Sequence, residues 1–143
     1  ENNCLIKHFE GKRRGYLDLN DIGNIPCSFH PFIKRNKQKK FEEIRSQDVY
    51  NTANILNKHN TKSRMIDGEY YKLNLQKSSV TKEDGFAHKI NLAYIKYQIK
   101  SLKIKNLKIA RMFAIRRINN INYINWKKIN NKSFYEYLNE KEN

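Results

Sequence analysis

Two cysteines, Cys4 and Cys27, are too few for a zinc site and too few for a secreted disulfide scaffold, so a reducing interior compartment fits best. Glycine and proline are scarce, at 5 and 2 residues, and Gly11, Gly15, Gly23, Pro26 and Pro31 all fall within the first 40. No apolar run approaches the roughly 20 residues that a membrane-spanning helix needs, so no transmembrane segment is expected. Acid is missing where it would matter most: the stretch from Lys89 to Phe134 holds no Asp or Glu. Elsewhere the acids stand alone or in short pairs such as Glu42-Glu43, flanked by Lys or Arg, without the clustering that two-metal hydrolysis requires. Walker A, GxGxxG, HExxH, CxxC and GxSxG patterns are all lacking. His8, His30, His59 and His88 are scattered singly. These absences argue against an enzyme, a small-molecule substrate, a cofactor or a metal site.

What is present is positive charge. The 143 residues carry 29 Lys plus Arg against 14 Asp plus Glu, a net +15, while only 38% of the chain is hydrophobic. Self-repulsion on so small a body calls for a negative partner, with nucleic acid first and a membrane surface second. The length fits one domain plus an extension. Asn, Lys and Ile are favoured over Ala and Gly, a bias of an AT-rich coding genome, so many Asn residues are neutral filler. Because the chain begins at Glu1 rather than Met, a preceding segment is expected, and an organelle transit peptide would have stood there.

The last third, from Asp84 to Leu138, reads as three helices. At 100° per residue, Ile109, Ala110, Phe113, Ala114, Ile118, Ile121 and Ile124 fall within about half a turn, with Arg111, Arg116, Asn119 and Asn122 on the other side. The preceding segment carries two apolar stripes: Leu92, Ile95, Ile99 and Leu102 form one, Ile90, Tyr94 and Tyr97 the other. Such a helix is the middle member of a bundle. The stripe breaks between Leu102 and Leu107, placing a tight reversal near Lys103 to Asn106 and making an antiparallel pair. The expected fold is an all-α, three- to four-helix bundle over residues 81–143, preceded by a basic, mostly irregular extension over 1–80.

Within that extension, residues 1–40 show no sustained helical period and read as an arm rather than a core, cleavable by protease in the free protein. Its basic clusters, Lys12, Arg13 and Arg14, then Lys34, Arg35, Lys37, Lys39 and Lys40, are candidate RNA contacts. Phe9, Tyr16, Phe29 and Phe32 stack on bases or pin the arm to a protein. A helix is expected within 41–59, with Ser46 and Asp48 as caps and Val49, Ala53 and Leu56 at helical spacing. Asp67-Gly68 signals a turn, Tyr70 to Leu75 alternates like a short strand, and Thr81 or Asp84 offers a cap to the bundle.

The run Asp84-Gly85-Phe86-Ala87-His88-Lys89-Ile90-Asn91-Leu92-Ala93-Tyr94-Ile95-Lys96-Tyr97-Gln98-Ile99-Lys100-Ser101-Leu102 resembles the second-helix motif of the bacterial-type ribosomal protein S-fifteen family, approximately D-T-G-S-x-E-V-Q-x-A-x-L-T-x-x-I-x-x-L. Asp84, Ala93, Ile99 and Leu102 coincide, and Asn91 stands where the family has Gln. Ile109 to Arg117, followed by Ile121 to Ile124, resembles the third helix, L-L-x-x-V-x-x-R-R-x-L-L-x-Y-L, with one residue inserted. Asn130 to Leu138 echoes the last helix, with Phe134 at its Tyr. The resemblance covers somewhat over a third of the chain. Two departures stand out: the Thr-Gly-Ser corner is Gly85-Phe86-Ala87, and the loop that carries an RNA-holding His and Asp in the family is shortened and has neither.

The resemblance implies a structural constituent of an organellar small ribosomal subunit, in a mitochondrion or alternatively a plastid, with ribosomal RNA and neighbouring small-subunit proteins as partners. It also implies that Gly85, Asn91 and Tyr123 contact an RNA junction, although Trp126 stands where a basic residue follows the Tyr. Antiparallel pairing would bring Asn91 and Tyr123 within about 7 Å in height, at 1.5 Å rise per residue. The candidate phosphate contacts on the helices are Lys105, Lys108, Arg111, Arg116, Arg117, Lys127 and Lys128. Two alternatives remain: a lineage-specific ribosomal protein of another family, or an accessory subunit of a membrane-bound organellar complex.

Overall fold

The computed structural model describes residues 15–25, 43–64 and 85–140. The basic clusters at Lys12, Arg13 and Arg14 and at Lys34, Arg35, Lys37, Lys39 and Lys40 lie outside those residues, as do the strand expected over 70–75 and the caps expected at Thr81 and Asp84. The described chain is an all-α bundle. Its elements run β1 (Tyr16–Leu17), α1 (Leu19–Asn24), α2 (Gln47–Lys58), β2 (Ser63–Arg64), α3 (Phe86–Lys103), α4 (Leu107–Asn130) and α5 (Phe134–Glu140). The two short strands pair antiparallel, Tyr16 opposite Arg64 and Leu17 opposite Ser63, and the Lys62 ammonium lies 3.9 Å from the centre of the Tyr16 ring.

The α3–α4 hairpin turns where the sequence places the reversal, and the bonds there show why it is so short. Lys105 adopts a left-handed conformation, φ 57°. Its N–H donates to the Leu102 carbonyl at 2.9 Å, and the Asn106 N–H donates to that of Ser101 at 2.8 Å, the paired closure that ends helices on a left-handed residue. The Asn106 side chain then accepts from the Ile109 N–H at 3.3 Å, so one residue closes α3 and opens α4.

Both sides of residue 80 contribute to a single core. Ile22 of α1, Val49, Tyr50, Ala53 and Leu56 of α2, Tyr94 and Tyr97 of α3, and Ile109, Met112 and Phe113 of α4 form one buried cluster. Tyr50 stacks on Tyr97 with ring centres 4.4 Å apart, and Tyr97 on Phe113 at 5.3 Å. Val49, Ala53 and Leu56 point inward as their spacing requires. Ser46 does occupy the cap of α2, but with φ 61° and no side-chain capping bond; the first-turn acid Asp48 favours the positive end of the helix instead.

Three expectations are corrected. First, the arm contains a core helix. Asp18 Oδ1 accepts from the N–H groups of Asn20 and Asp21 at 2.9 and 3.0 Å, while Asp21 Oδ2 accepts from Asp18 N–H at 3.0 Å, a reciprocal capping box that starts α1. Ile22 is only 1% exposed. Gly23 lets α1 approach α4 closely, since a Cβ there would lie 3.3 Å from Met112 Cγ.

Second, the inward sector of α4 is turned roughly 70° from the expected one. Met112, Arg116 and Tyr123 are inside with Ile109, Ala110 and Phe113, while Ile118 and Ile121 face out. Arg116, expected on the polar side, is 3% exposed. Its Nη1 donates to the carbonyls of Ile22 (2.7 Å) and Ile25 (2.8 Å), and its Nε to the Tyr94 hydroxyl (3.1 Å). Carbonyls at the end of a helix lack intrahelical donors, and burying them against α4 requires a donor such as this guanidinium. Third, only one of the two stripes of α3 is packed: Tyr94 and Tyr97 are buried, whereas Leu92, Ile99 and Leu102 are exposed.

A smaller aromatic cluster seals the other end of the hairpin. Tyr123, Tyr137 and Leu138 are buried there against Ala87, Trp126 and Phe134. At the start of α5, Ser133 N–H and Oγ both lie 2.7 Å from Glu136 Oε2, a second capping box. Arg116→Met keeps side-chain volume but strips two buried carbonyls of their donor, so it is expected to destabilise the fold by about 3 kcal/mol in urea unfolding. Hydrogen exchange should show lost protection at the Ile22 and Ile25 amides, because α1 is released.

Candidate nucleic-acid interface

The candidate cations do not coat one face of the hairpin; apart from Arg116 and Arg117 in the middle of α4, they gather at its two ends. At the turn, Lys105, Lys108 and Arg111 are all exposed, and Lys103 joins them. Sequence reasoning counted Lys103 as part of the reversal and so missed it as a contact. At the far end, Lys127 and Lys128 occupy the last turn of α4, where its carbonyl dipoles favour cations. Neighbouring Lys132 is engaged by Glu140 at 2.6 Å, which raises the Lys132 pKa chiefly through that hydrogen bond. From Arg111 to Lys127 is about 24 Å along the helix at 1.5 Å per residue. Between the ends, the outward surface of α4 mixes exposed Ile118, Asn122 and Asn125.

Arg116 is withdrawn from this surface altogether, because the carbonyls of Ile22 and Ile25 hold it inside. Arg117 is half-buried, its Nη1 donating to Gln98 Oε1 at 2.9 Å, while its Nε is buried without a partner. Asn91 is also half-buried, and its Oδ1 is sealed from solvent with no donor. A ligand would have to displace side chains to reach either atom.

The antiparallel geometry does bring the start of α3 beside the end of α4, as the spacing requires. The Asn120 side chain donates to the Ala87 carbonyl at 2.8 Å, and Ala87 packs on the Tyr123 cluster. Gly85 sits at the corner as the cap of α3 with φ 76°, a conformation that glycine adopts without strain, and nothing crowds its Cβ direction. Tyr123, however, is 7% exposed, its ring enclosed by Phe134 at 4.9 Å, Tyr137 at 5.4 Å and Trp126 at 6.5 Å. It serves first as the hub that docks α5. Of the expected junction patch, Gly85 is therefore open, Asn91 is half-buried, and Tyr123 is enclosed by its aromatic neighbours.

Among the described residues no group of three or more His, Cys, Asp or Glu is placed to hold a metal ion, and no helix is long and apolar enough to cross a membrane. No family model, curated protein or solved structure matches the chain.

Burial raises the Tyr123 pKa above its ordinary value of 10.0, and the nearby Glu136 carboxylate adds to the shift. A raised pKa means that the folded state holds the proton more tightly. The resulting stability is complete below the unfolded value and is lost as pH rises through the folded one. The difference in phenolate absorbance between wild type and Tyr123→Phe should therefore isolate a tyrosine that ionises above pH 10.

Proposed function

We infer that this chain is a structural RNA-binding protein, and that its place is in the small ribosomal subunit of an organelle, a mitochondrion before a plastid. The observation that carries the RNA-binding part is the exposed quartet Lys103, Lys105, Lys108 and Arg111 at a tight, hydrogen-bonded helical turn, on a hairpin whose own sequence supplies no acid to neutralise it. Lys and Arg held on fixed helices attract phosphate without needing to read bases, which gives affinity and orientation together. Lys127 and Lys128 add a second contact at the opposite end, so one rod-like element bridges two stretches of backbone.

The ribosomal part is supported by the helix order. The three stretches that resemble the S-fifteen family fall on α3, α4 and the turn into α5, with a hairpin and a short closing helix in the same succession. Recognition on this reading depends on charge and shape more than on Asn91 and Tyr123. The shortened turn, without the His and Asp that the family resemblance would place there, leaves Lys105 and Lys108 as its phosphate contacts.

Binding of the chain to small-subunit ribosomal RNA fragments should weaken steeply with salt, and Lys105→Glu/Lys108→Glu/Arg111→Glu should lower the log–log slope by roughly 2 to 3. Lys105→Gly removes one cation while relieving the left-handed backbone, so it should weaken RNA binding without lowering stability. Tyr123→Phe and Asn91→Ala are expected to change affinity by less than about threefold, since a base-edge contact worth 1 to 3 kcal/mol would cost far more. A salt-independent affinity, or a triple variant that binds as well as wild type, would remove this surface as the RNA site.

A further inference from the structure

The face of α3 turned away from the core carries an exposed apolar stripe. Leu92, Ile95, Ile99 and Leu102 stand three, four and three residues apart. This is the alternation of the two seam positions of a heptad, carried over about 15 Å of helix at 1.5 Å per residue. Leu92 is 59% exposed, and Ile99 and Leu102 are 48% each. On the helical wheel the stripe spans only about 80°, narrower than the face of a helix that beds into a core or a bilayer, and it lies opposite buried Tyr94 and Tyr97.

The flanks of the stripe differ in kind. One heptad flank is Lys89, Lys96 and Lys103, each seven residues from the next; the other holds the amides Asn91 and Gln98. A shallow groove of about 370 Å³ runs beside the stripe, lined by Lys96, Ile99, Lys100, Lys103 and Ile104.

We propose that this face docks an amphipathic helix of a neighbouring protein, one whose apolar stripe is flanked by Glu or Asp. The seam spacing favours a helix, because knobs from such a stripe insert into the holes of a partner helix. Charge selects its chemistry. Flanking positions of paired helices meet across the seam, so Lys96 and Lys103 favour carboxylates and repel a basic partner. A second copy of this chain is disfavoured for the same reason: each copy carries +15, and antiparallel pairing would set lysines against lysines. The seam engages Lys103 but leaves Lys105, Lys108 and Arg111 uncovered, so protein and RNA can be held at once, and the inference stands whether or not RNA is the polyanion.

The test uses the full chain and two synthetic three-heptad peptides with leucine at the seam, one with Glu and one with Lys at the flanking positions, followed by fluorescence anisotropy. The Glu peptide should bind at least tenfold more tightly than the Lys peptide. Leu92→Glu/Ile99→Glu should abolish that binding while circular dichroism, thermal unfolding and RNA affinity stay as in wild type; Leu92→Gln/Ile99→Gln guards against a charge effect on folding. Lys96→Glu/Lys103→Glu should invert the preference. Binding of neither peptide, binding indifferent to flank charge, or binding that survives the seam variants would overturn the proposal. So would self-association of the wild-type chain that Leu92→Glu/Ile99→Glu removes, or loss in that variant of RNA affinity or of binding to phosphatidylserine vesicles.

Discussion

The guanidinium of Arg116 ties the two halves of this molecule together. It donates to the carbonyls of Ile22 and Ile25 at the end of α1 and to the Tyr94 hydroxyl of α3 from its place on α4, so three helices share one buried cation. Without it, α1 would bring bare carbonyls into an apolar interface, at a cost comparable to the gain from burying Ile22. With it, the short helix can pack, Gly23 can sit against Met112, and the aromatic stack of Tyr50, Tyr97 and Phe113 is closed from the N-terminal side. Arginine suits this role because its fork holds several donors in a fixed plane and stays charged when buried.

That use of Arg116 has a consequence for the surface. With Arg116 committed to the interior, the proposed contact with RNA rests on the cations at the helix ends; the α4 dipole favours Lys127 and Lys128 in its last turn but opposes Lys108 in its first. The hairpin thus has a division of labour along its length: cations at the turn and at the far end, an apolar seam on the back of α3, and a packed face toward α1 and α2. Lys103 lies where the seam meets the turn, whereas Lys105, Lys108 and Arg111 stand beyond the seam, which on the proposed reading leaves room for RNA and a protein partner together.

Much of this could be read from residue order. The reversal at Lys103 to Asn106 followed from one broken stripe, and Val49, Ala53 and Leu56 announced their helix by spacing alone. Other features were hidden for definite reasons. A wheel drawn from apolar residues assigns Arg116 to water, because residue type does not say that two distant carbonyls need a donor. The same wheel sends Ile118 and Ile121 inward, although Met112, Arg116 and Tyr123 fill that space. The helix at Leu19–Asn24 was not legible, because it lies in a stretch of glycine and basic residues with no sustained helical period and is fixed by its capping box and by the burial of Ile22. For the site, the turn-end charges were legible as composition. The sealing of Asn91 and the enclosure of Tyr123 were not, since both arise from packing between segments.

The central claim is that the hairpin ends carry the contact with RNA, and it is tested most directly in the assembled particle. The tagged chain would be recovered from its own cells, irradiated to crosslink protein to RNA, and digested to map the crosslinked peptides and the attached RNA. The account predicts small-subunit ribosomal RNA attached to peptides spanning Lys103 to Arg111 and Lys127 to Lys128, with little at Leu92 to Leu102. Recovery with respiratory subunits and no RNA, or crosslinks confined to the α3 seam, would contradict it.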